Sequence, residues 1–361
     1  MRNQASTQVG IKSKLLTTLI VILVALFASS IHLFGRRTSV VGLNLFPYIL
    51  SVLILFLFSR FMGNKKMLSQ FNFNRFVPLL TILIACIDAY YSLHTTVSLF
   101  TLTGLSIWFT HIAGVFVLLW LANIVTSRGL GNGVSLLLFL FIVTSASKFV
   151  VQSSFGLLPS LALFSACIIS LFSGVALSRS TLKILVKYHR RQQGKKMFAG
   201  QSSHVPLLLC ASGALPTIFL YTLLHYAHHL PSSLVPLLFV ATFFVAFLVT
   251  PPLNDAHFNS KQISDSLRQN GGLIIGVRSG LKTQEFFCAK QRLVSFVTAF
   301  FYSTFCVVSV LLIKINTSVF GLALTPIALY IVLAVVLDLV KEVQEDLMPA
   351  HYQELLRKSR Q

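Results

Sequence analysis

The sequence is poor in charged side chains, and above all in acidic ones. Charged residues make up 11% of the 361-residue chain, and only 9 of its residues are Asp or Glu. An ordinary soluble domain carries about 25% charged residues. Hydrophobic residues make up 55%, and the mean hydropathy is +0.81. The composition therefore excludes a soluble globular protein and indicates a polytopic membrane protein.

The chain also lacks the spacings that carry redox, metal or nucleotide chemistry. Its five cysteines form no Cys-x-x-Cys pair and mostly lie in apolar stretches, which is typical of small buried hydrophobic residues. His225, His228 and His229 can share a helix face, but no nearby Cys, Asp or Glu completes a metal site. Gly129–Gly133 is not followed by the Lys-Ser/Thr of a phosphate-binding loop. We therefore expect no enzymatic activity, no cofactor and no metal, and the energy for any transport must come from a partner.

Ten apolar stretches approach the ~20 residues that a helix needs to cross a bilayer. They cover residues 15–34, 42–59, 76–97, 102–124, 134–152, 156–178, 205–228, 233–252, 293–314 and 318–339. The predicted fold class is an all-α polytopic membrane protein with ten transmembrane helices. The helices form two halves, residues 1–155 and 156–340, followed by a cytoplasmic tail, 341–361. An odd number of spans in each half permits an inverted repeat around a central pore.

The basic residues predict the orientation of the chain. With the N-terminus in the cytoplasm, ten alternating spans place nearly all of the 29 Lys and Arg on the cytoplasmic side. The exceptions are Arg36, Arg37, Lys148 and Lys314. This bias predicts a plasma-membrane protein with both termini in the cytoplasm. Because topology explains most of the net charge of +20, no nucleic-acid partner is expected. Two long cytoplasmic loops, 179–204 and 253–292, indicate a docking surface for a protein.

A glycine-dense turn separates the fourth and fifth apolar stretches. It reads Arg128-Gly-Leu-Gly-Asn-Gly-Val-Ser135. Its glycines allow positive φ and close packing, so the chain can reverse sharply at a membrane surface. Four further segments, found in residues 42–49, 211–219, 263–285 and 336–352, include Gly42-Leu-Asn-Leu-Phe-Pro-Tyr-Ile49 and Ala211-Ser-Gly-Ala-Leu-Pro-Thr-Ile-Phe219. In order and in topology, the five segments resemble SecY, the protein-conducting channel.

The resemblance implies the central pore-forming subunit of a Sec-type translocase, which exports unfolded polypeptides across the plasma membrane. It places an aliphatic pore ring at Leu45, Ile49, Leu138, Ile142, Ile218 and Ile331. A flexible apolar ring resists ion leakage by dewetting and yields around a passing chain. The lateral gate region would include Pro47, Tyr48 and Pro216. The cytoplasmic hinge would be Gly129, Gly131, Asn132 and Gly133.

The resemblance also implies partners. A SecA-type ATPase or a ribosome would dock on the cytoplasmic loops, at Arg190, Arg191, Lys195, Lys196, Arg278 and Lys282. Small membrane subunits like SecE and SecG, or accessory Sec proteins, would complete the channel in the lipid bilayer. The substrate would be an unfolded preprotein.

Three departures from an ordinary SecY point to a specialised member. The segment Gly35–Gly42, where SecY carries its plug helix, is too short for a normal plug. The extracytoplasmic loops are trimmed, and the cytoplasmic tip has Ile275 and Ser279 where the family usually has prolines. Together they resemble the accessory SecY of Gram-positive bacteria, which works with a dedicated accessory SecA and would export glycosylated serine-rich adhesins.

Three alternative functions stay open. A housekeeping SecY-type channel subunit with reduced loops fits the same motifs. A small-solute secondary transporter would need ionisable residues at mid-membrane, where Asp88 is the one carboxylate well inside a span. A degenerate SecY that only scaffolds other subunits fits them too.

Overall fold

The computed structural model describes most of the chain, with gaps that fall largely between helices. The described residues are 2–31, 39, 41–61, 70–94, 101–152, 157–188, 192–193, 196–197, 202–210, 212–227, 235–258, 260–315 and 325–358.

Helices dominate the described residues. The helices are α1 (Arg2–Ser30), α2 (Phe46–Phe61), α3 (Gln70–His94), α4 (Leu102–Arg128), α5 (Gly133–Gln152), α6 (Leu157–Arg179), α7 (Leu215–Ala227), α8 (Val235–His257), α9 (Ser260–Gln269), α10 (Leu281–Ile315) and α11 (Pro326–Lys358). The strands are β1 (Thr181–Tyr188), β2 (Gln192–Gln193), β3 (Lys196–Met197), β4 (Ser202–Leu208) and β5 (Gly272–Ile274).

The contacts divide the chain into two compact units. Unit 1 contains Met1–Ser154 and Ile331–Gln361, and unit 2 contains Phe155–Tyr330. The predicted halves, 1–155 and 156–340 with a tail from 341, stay a prediction.

Unit 1 is a bundle of helices. α4 packs against α1, α3 and α5, and α2 packs against α3. Small residues allow close approach, as where Ala85 and Ala89 of α3 meet Val115 of α4. Hydroxyl side chains in the helices donate to carbonyls of the preceding turn, for example Thr81 to Val77 at 2.7 Å. Such bonds satisfy polar groups internally, as a low-dielectric surrounding requires.

Unit 2 combines helices with a small sheet. α10 packs against α6, α7, α8 and α9, so it is the central helix of this unit. β1 lies between β4 and β5 and is antiparallel to both. In this sheet Ile184 pairs with Val205, and Val186 pairs with Ile274. β2 and β3 form a separate short hairpin.

The sheet has its own hydrophobic core. Side chains on one face of the strands pack against α9 and the start of α10, with the buried set Ile184, Val186, Leu207, Leu267, Ile274 and Phe287. Lys183, Leu185 and Lys187 alternate with the buried positions of β1 and are exposed, as a pleated strand with one buried face requires. The all-α prediction is therefore wrong for residues 181–188, 192–193, 196–197, 202–208 and 272–274, which form strands.

The predicted spans agree in place with ten of the helices, but several ends differ. The seventh predicted span covers residues 205–228. In the structure, residues 202–208 form β4 and α7 begins at Leu215. α10 begins at Leu281, twelve residues before the predicted start, and α11 continues to Lys358.

Three helices of the described chain are long and apolar enough to cross a membrane by length and composition. They contain the stretches Lys12–Ser30, Leu102–Arg128 and Leu281–Leu311. Shorter apolar helical stretches cover Phe46–Ser59, Gly133–Lys148 and Ser165–Arg179. Large apolar side chains such as Phe27 and Phe172 are 70% and 80% exposed on these helices, which is the surface that a lipid surrounding covers.

Candidate functional site

The glycine turn between α4 and α5 fits in unit 1 only because three of its residues lack a side chain. A Cβ on Gly133 would collide with the backbone carbonyl of Ala122. A Cβ on Gly129 would lie 2.9 Å from the Val125 carbonyl oxygen. Gly131 has a φ of 79° and faces the Leu339 side chain, which a Cβ would approach to 2.7 Å. Gly129 and Gly133 therefore allow close approach to α4. Gly131 allows close approach to α11 and adopts a left-handed backbone conformation.

Hydrogen bonds fasten this turn to its surroundings. The Thr17 hydroxyl donates to the Arg128 carbonyl at 2.9 Å, and the Leu130 amide donates to the Thr18 hydroxyl at 3.2 Å. The Gly133 amide donates to the Thr126 hydroxyl at 3.0 Å. Thus α1 and α4 both hold the reversal of the chain. Sequence reasoning missed these threonines, because two of them lie more than a hundred residues before the turn.

Asn132 caps the helix that follows. Its side-chain oxygen accepts from the Val134 amide at 3.1 Å, and its carbonyl accepts from the Leu136 amide at 3.0 Å. An N-cap asparagine satisfies an amide that has no partner within the helix. The predicted hinge residues therefore fix where α5 begins, and with it the positions of Leu138 and Ile142.

Four residues of the predicted pore ring belong to α2 and α5 or lie just before α2. Leu45, Ile49, Leu138 and Ile142 are all buried in the protein, with at most 3% of the side chain exposed. Leu45 and Leu138 line one cavity of about 40 Å³, together with residues of α1 and α4. The structure therefore brings two of the four predicted residues to one cavity within unit 1.

The remaining two ring positions are also buried. Ile331, in the part of α11 that belongs to unit 1, is fully buried. Ile218, in α7 of unit 2, is 2% exposed. Each is described within its own unit, and their assembly into one ring stays a prediction.

The predicted gate residues lie at two helix starts. Pro47 is the second residue of α2 and is buried, and Tyr48 beside it is half-buried. Pro216 is the second residue of α7. Both prolines occupy first turns, where a missing amide proton removes no intrahelical bond. In unit 1, the Phe46 ring makes an edge contact with Phe141 of α5, with 5.5 Å between the ring centroids.

The tip after β5, residues 275–280, exposes the predicted docking arginine. Arg278 is exposed, and its carbonyl accepts from the Thr283 hydroxyl at 2.9 Å. Gly276 and Gly280 flank the tip with φ values of 82° and 97°. The Ser264 hydroxyl of α9 donates to the Gly280 carbonyl at 2.9 Å. The backbone of the tip is thus held at Arg278 and at Gly280, while the Arg278 side chain is exposed.

The other predicted docking residues lie partly within and partly outside the described residues. Lys282 forms an exposed ion pair with Glu285 at 3.3 Å, and such pairs contribute little to stability. Lys196 lies in β3. Arg190, Arg191 and Lys195 lie outside the described residues, as does most of the short segment 35–42.

Comparison with known proteins now decides the family. Residues 39–340 match the family model of SecY. This chain belongs to the SecY family. The match includes the glycine turn, all six predicted ring positions and the tip after β5.

Curated SecY relatives are similar over most of their length. The protein translocase subunit SecY of Rickettsia conorii is 28% identical over 367 residues, which cover 89% of this chain and 83% of the relative. The protein translocase subunit SecY of Thermotoga maritima is 26% identical over 363 residues, covering 90% and 82%.

Solved structures of the SecY family share the fold. A SecY solved in a study of how the plug domain stabilises the closed state of the translocation channel has a TM-score of 0.69 and 15% identity, with 94% of each chain covered. Sec61 from a canine ribosome–channel complex has a TM-score of 0.61 and 13% identity, also with 94% covered. The helical architecture is therefore that of the SecY and Sec61 channels.

Proposed function

We propose that this chain is the central pore-forming subunit of a Sec-type protein translocase, which threads unfolded polypeptides across the plasma membrane. The observation that carries the proposal is the SecY family match over residues 39–340. The burial of aliphatic side chains at all six ring positions supports it. No catalytic step is assigned to the chain, so a motor or ribosome supplies the energy.

The proposed orientation has both termini in the cytoplasm, because the basic loops then follow the positive-inside bias. The proposed partners are small membrane subunits of the SecE and SecG type and a SecA-type ATPase or a ribosome. The relatives support this choice, since they are named as subunits of a protein translocase.

Reconstitution tests the proposed function. The complex is placed in vesicles with the motor ATPase, ATP and an unfolded preprotein, and protease-protected preprotein is measured. We expect protected preprotein only when the complex and ATP are both present. An intact complex that protects no preprotein would point to a scaffold protein, and uptake of small solutes instead would point to a secondary transporter.

Arg278→Glu is expected to lower motor-driven export at least about tenfold, because it reverses the charge at an exposed tip whose backbone is held in place. Lys183→Glu makes the same charge change at an exposed position of β1 and is the matched control. The measurement is protease-protected preprotein per assembled complex. Equal loss in both variants would reduce Arg278 to one basic charge among many.

We further propose that the translocase is an accessory one, dedicated to glycosylated serine-rich adhesins and driven by a dedicated accessory SecA. The short segment 35–42 and the tip residues Ile275 and Ser279 favour this assignment. Deleting the gene is expected to abolish adhesin export and leave general secretion intact. A general secretion defect would instead identify a housekeeping SecY.

A further inference from the structure

The turn before α7 is held by polar contacts from several helices of unit 2. We call Leu209, Cys210, Ser212, Gly213 and Ala214 the α7 turn. The Leu209 amide donates to the carbonyl of Ser180, which follows α6, at 3.1 Å. The Leu209 carbonyl accepts from the hydroxyl of Thr298 in α10 at 2.9 Å. The first residue of the turn is thus bound on two sides.

A buried asparagine holds the middle of the α7 turn. The side-chain oxygen of Asn254 in α8 accepts from both the amide of Ser212, at 3.2 Å, and its hydroxyl, at 2.5 Å. Asn254 is fully buried and Ser212 is 6% exposed. Two donors on one oxygen fix the orientation of the amide and of the turn.

Two buried tyrosines hold the same turn from the other side. The Tyr302 hydroxyl of α10 lies 3.3 Å from the Cys210 sulfur and 3.1 Å from the Tyr330 hydroxyl of α11. The Tyr330 hydroxyl is 3.5 Å from the same sulfur. Both tyrosines are buried, with at most 1% of each residue exposed. The Cys210 sulfur therefore lies within hydrogen-bond distance of both phenol groups.

These contacts control the start of α7. The Ile218 amide donates to the Ala214 carbonyl at 3.0 Å, so the first bonds of the helix begin at the α7 turn. Gly213 has a φ of 59°, which gives the chain its sharp entry. α7 itself has 13 residues, fewer than the ~20 that cross a bilayer. The position of the α7 turn therefore sets the position at which this short helix begins.

A second set of buried polar groups lies on the helices next to this turn. Within the described part of the chain, no hydrogen-bond partner exists for the Thr250 hydroxyl, the Asn254 amide nitrogen, both polar atoms of the Gln291 side chain or the Ser295 hydroxyl. Thr250 and Asn254 are one turn apart in α8, and Gln291 and Ser295 are one turn apart in α10, which packs against α8. Buried polar groups are nearly always paired in a stable structure.

We propose that the α7 turn is a latch with two positions. This latch rests on the proposed function, because α7 is then the wall of the channel that moves. Tyr302, Tyr330 and the Asn254 oxygen are positioning residues that hold α7 in the position described. Thr250, Gln291, Ser295 and the Asn254 nitrogen receive the polar groups of the turn in the second position. Hydrogen bonds are directional, so a shift of the turn breaks the first set together.

The two sets give variants with opposite effects. Tyr302→Phe with Tyr330→Phe keeps the rings and removes both hydroxyls, so it favours the second position. Gln291→Leu with Ser295→Ala removes groups that only the second position satisfies, so it favours the first. Ser309→Ala is the matched control: the Ile327 amide donates to the Ser309 hydroxyl at 3.4 Å, a contact between α10 and α11 that involves no residue of the α7 turn.

Hydrogen–deuterium exchange of the α7 amides in the full complex tests the latch without any transport. We expect exchange about fivefold faster or more in the tyrosine variant and about fivefold slower in the Gln291 variant, since one hydrogen bond of ordinary strength changes an opening equilibrium by that factor. Ser309→Ala is expected to leave α7 unchanged. Resting ion flux through reconstituted complexes should change in the same directions as exchange.

Two results would overturn the latch. One is a folded tyrosine variant that exchanges no faster at α7 than Ser309→Ala. The other is faster exchange in both double variants, which would mean general destabilisation. If the tyrosine variant does not fold, Cys210→Ala removes the sulfur that both phenol groups contact and carries the same expectation. Exchange is measured apart from transport, so a wild-type complex that moves no preprotein would count against the proposed function and not against the latch.

Discussion

Gly133→Ala is expected to lower the folding stability of this protein by roughly 3 kcal/mol or more, or to prevent folding, because its methyl group meets backbone and not a flexible side chain. The obstacle is the backbone carbonyl of Ala122, inside α4, which cannot move without disturbing the hydrogen bonds of that helix. The measurement is thermal unfolding of the purified complex, with folded yield as a second readout.

Gly271→Ala is the matched control. Gly271 has a φ of 67°, but a Cβ there would meet nothing within 4 Å, so the change costs only the left-handed backbone, about 1–2 kcal/mol. The contrast separates close packing from backbone freedom. Equal stabilities for the two variants would contradict the packing account of the glycine turn.

Leu138→Gly is expected to raise resting ion conductance at least about tenfold, because removing a buried leucine side chain removes about 1.5–3 kcal/mol of apolar burial that resists wetting. Leu138 is 1% exposed and lines a cavity with Leu45. Planar-bilayer recordings of the reconstituted complex give the conductance.

Val143→Gly controls for the flexibility that glycine adds to α5. Val143 lies one residue after Ile142 in the same helix, yet it is 41% exposed. Its replacement adds the same backbone entropy without opening the buried face. If both variants conduct alike, Leu138 does not belong to the seal, and the ring assignment fails at this position.

Hydropathy predicted where the long helices lie better than where they begin and end. α4 begins at Leu102, as predicted, because the apolar stretch and the helix coincide there. α10 begins at Leu281, and hydropathy predicted 293 because the part of the helix before residue 293 carries charged residues such as Lys290 and Arg292. An apolar window detects burial in lipid, whereas a helix continues into water wherever its backbone bonds are made.

The sequence did not predict the sheet, because its strands are short and one of its strand pairs joins segments that are far apart in the sequence. Residues 202–208 end in apolar side chains, and a short apolar run cannot distinguish a strand from the start of a helix. β1 pairs with β5, which lies more than eighty residues later. The alternation in β1 of buried Ile184 and Val186 with exposed Lys183 and Lys187 is a signal that could have predicted the strand.

The sequence motif predicts the glycine turn, but it does not predict the hydrogen bonds that hold the turn in place. Nothing near residue 128 indicates that Thr17 and Thr18 supply its partners, because tertiary contacts between distant helices leave no local pattern. The same holds for the α7 turn, whose partners Asn254, Tyr302 and Tyr330 lie on three later helices. Motifs located both turns, and only the structure identified what holds them.

The most direct test of the channel account is site-specific photo-crosslinking to a preprotein arrested during transport. A photoreactive residue is placed at Leu138, at Ile218 or, as the exposed comparison, at Val143. We predict crosslinks to the arrested preprotein from Leu138 and Ile218, and none from Val143. Crosslinks from Val143 alone, or none from either buried position while the preprotein is arrested in the complex, would contradict a polypeptide path lined by these residues.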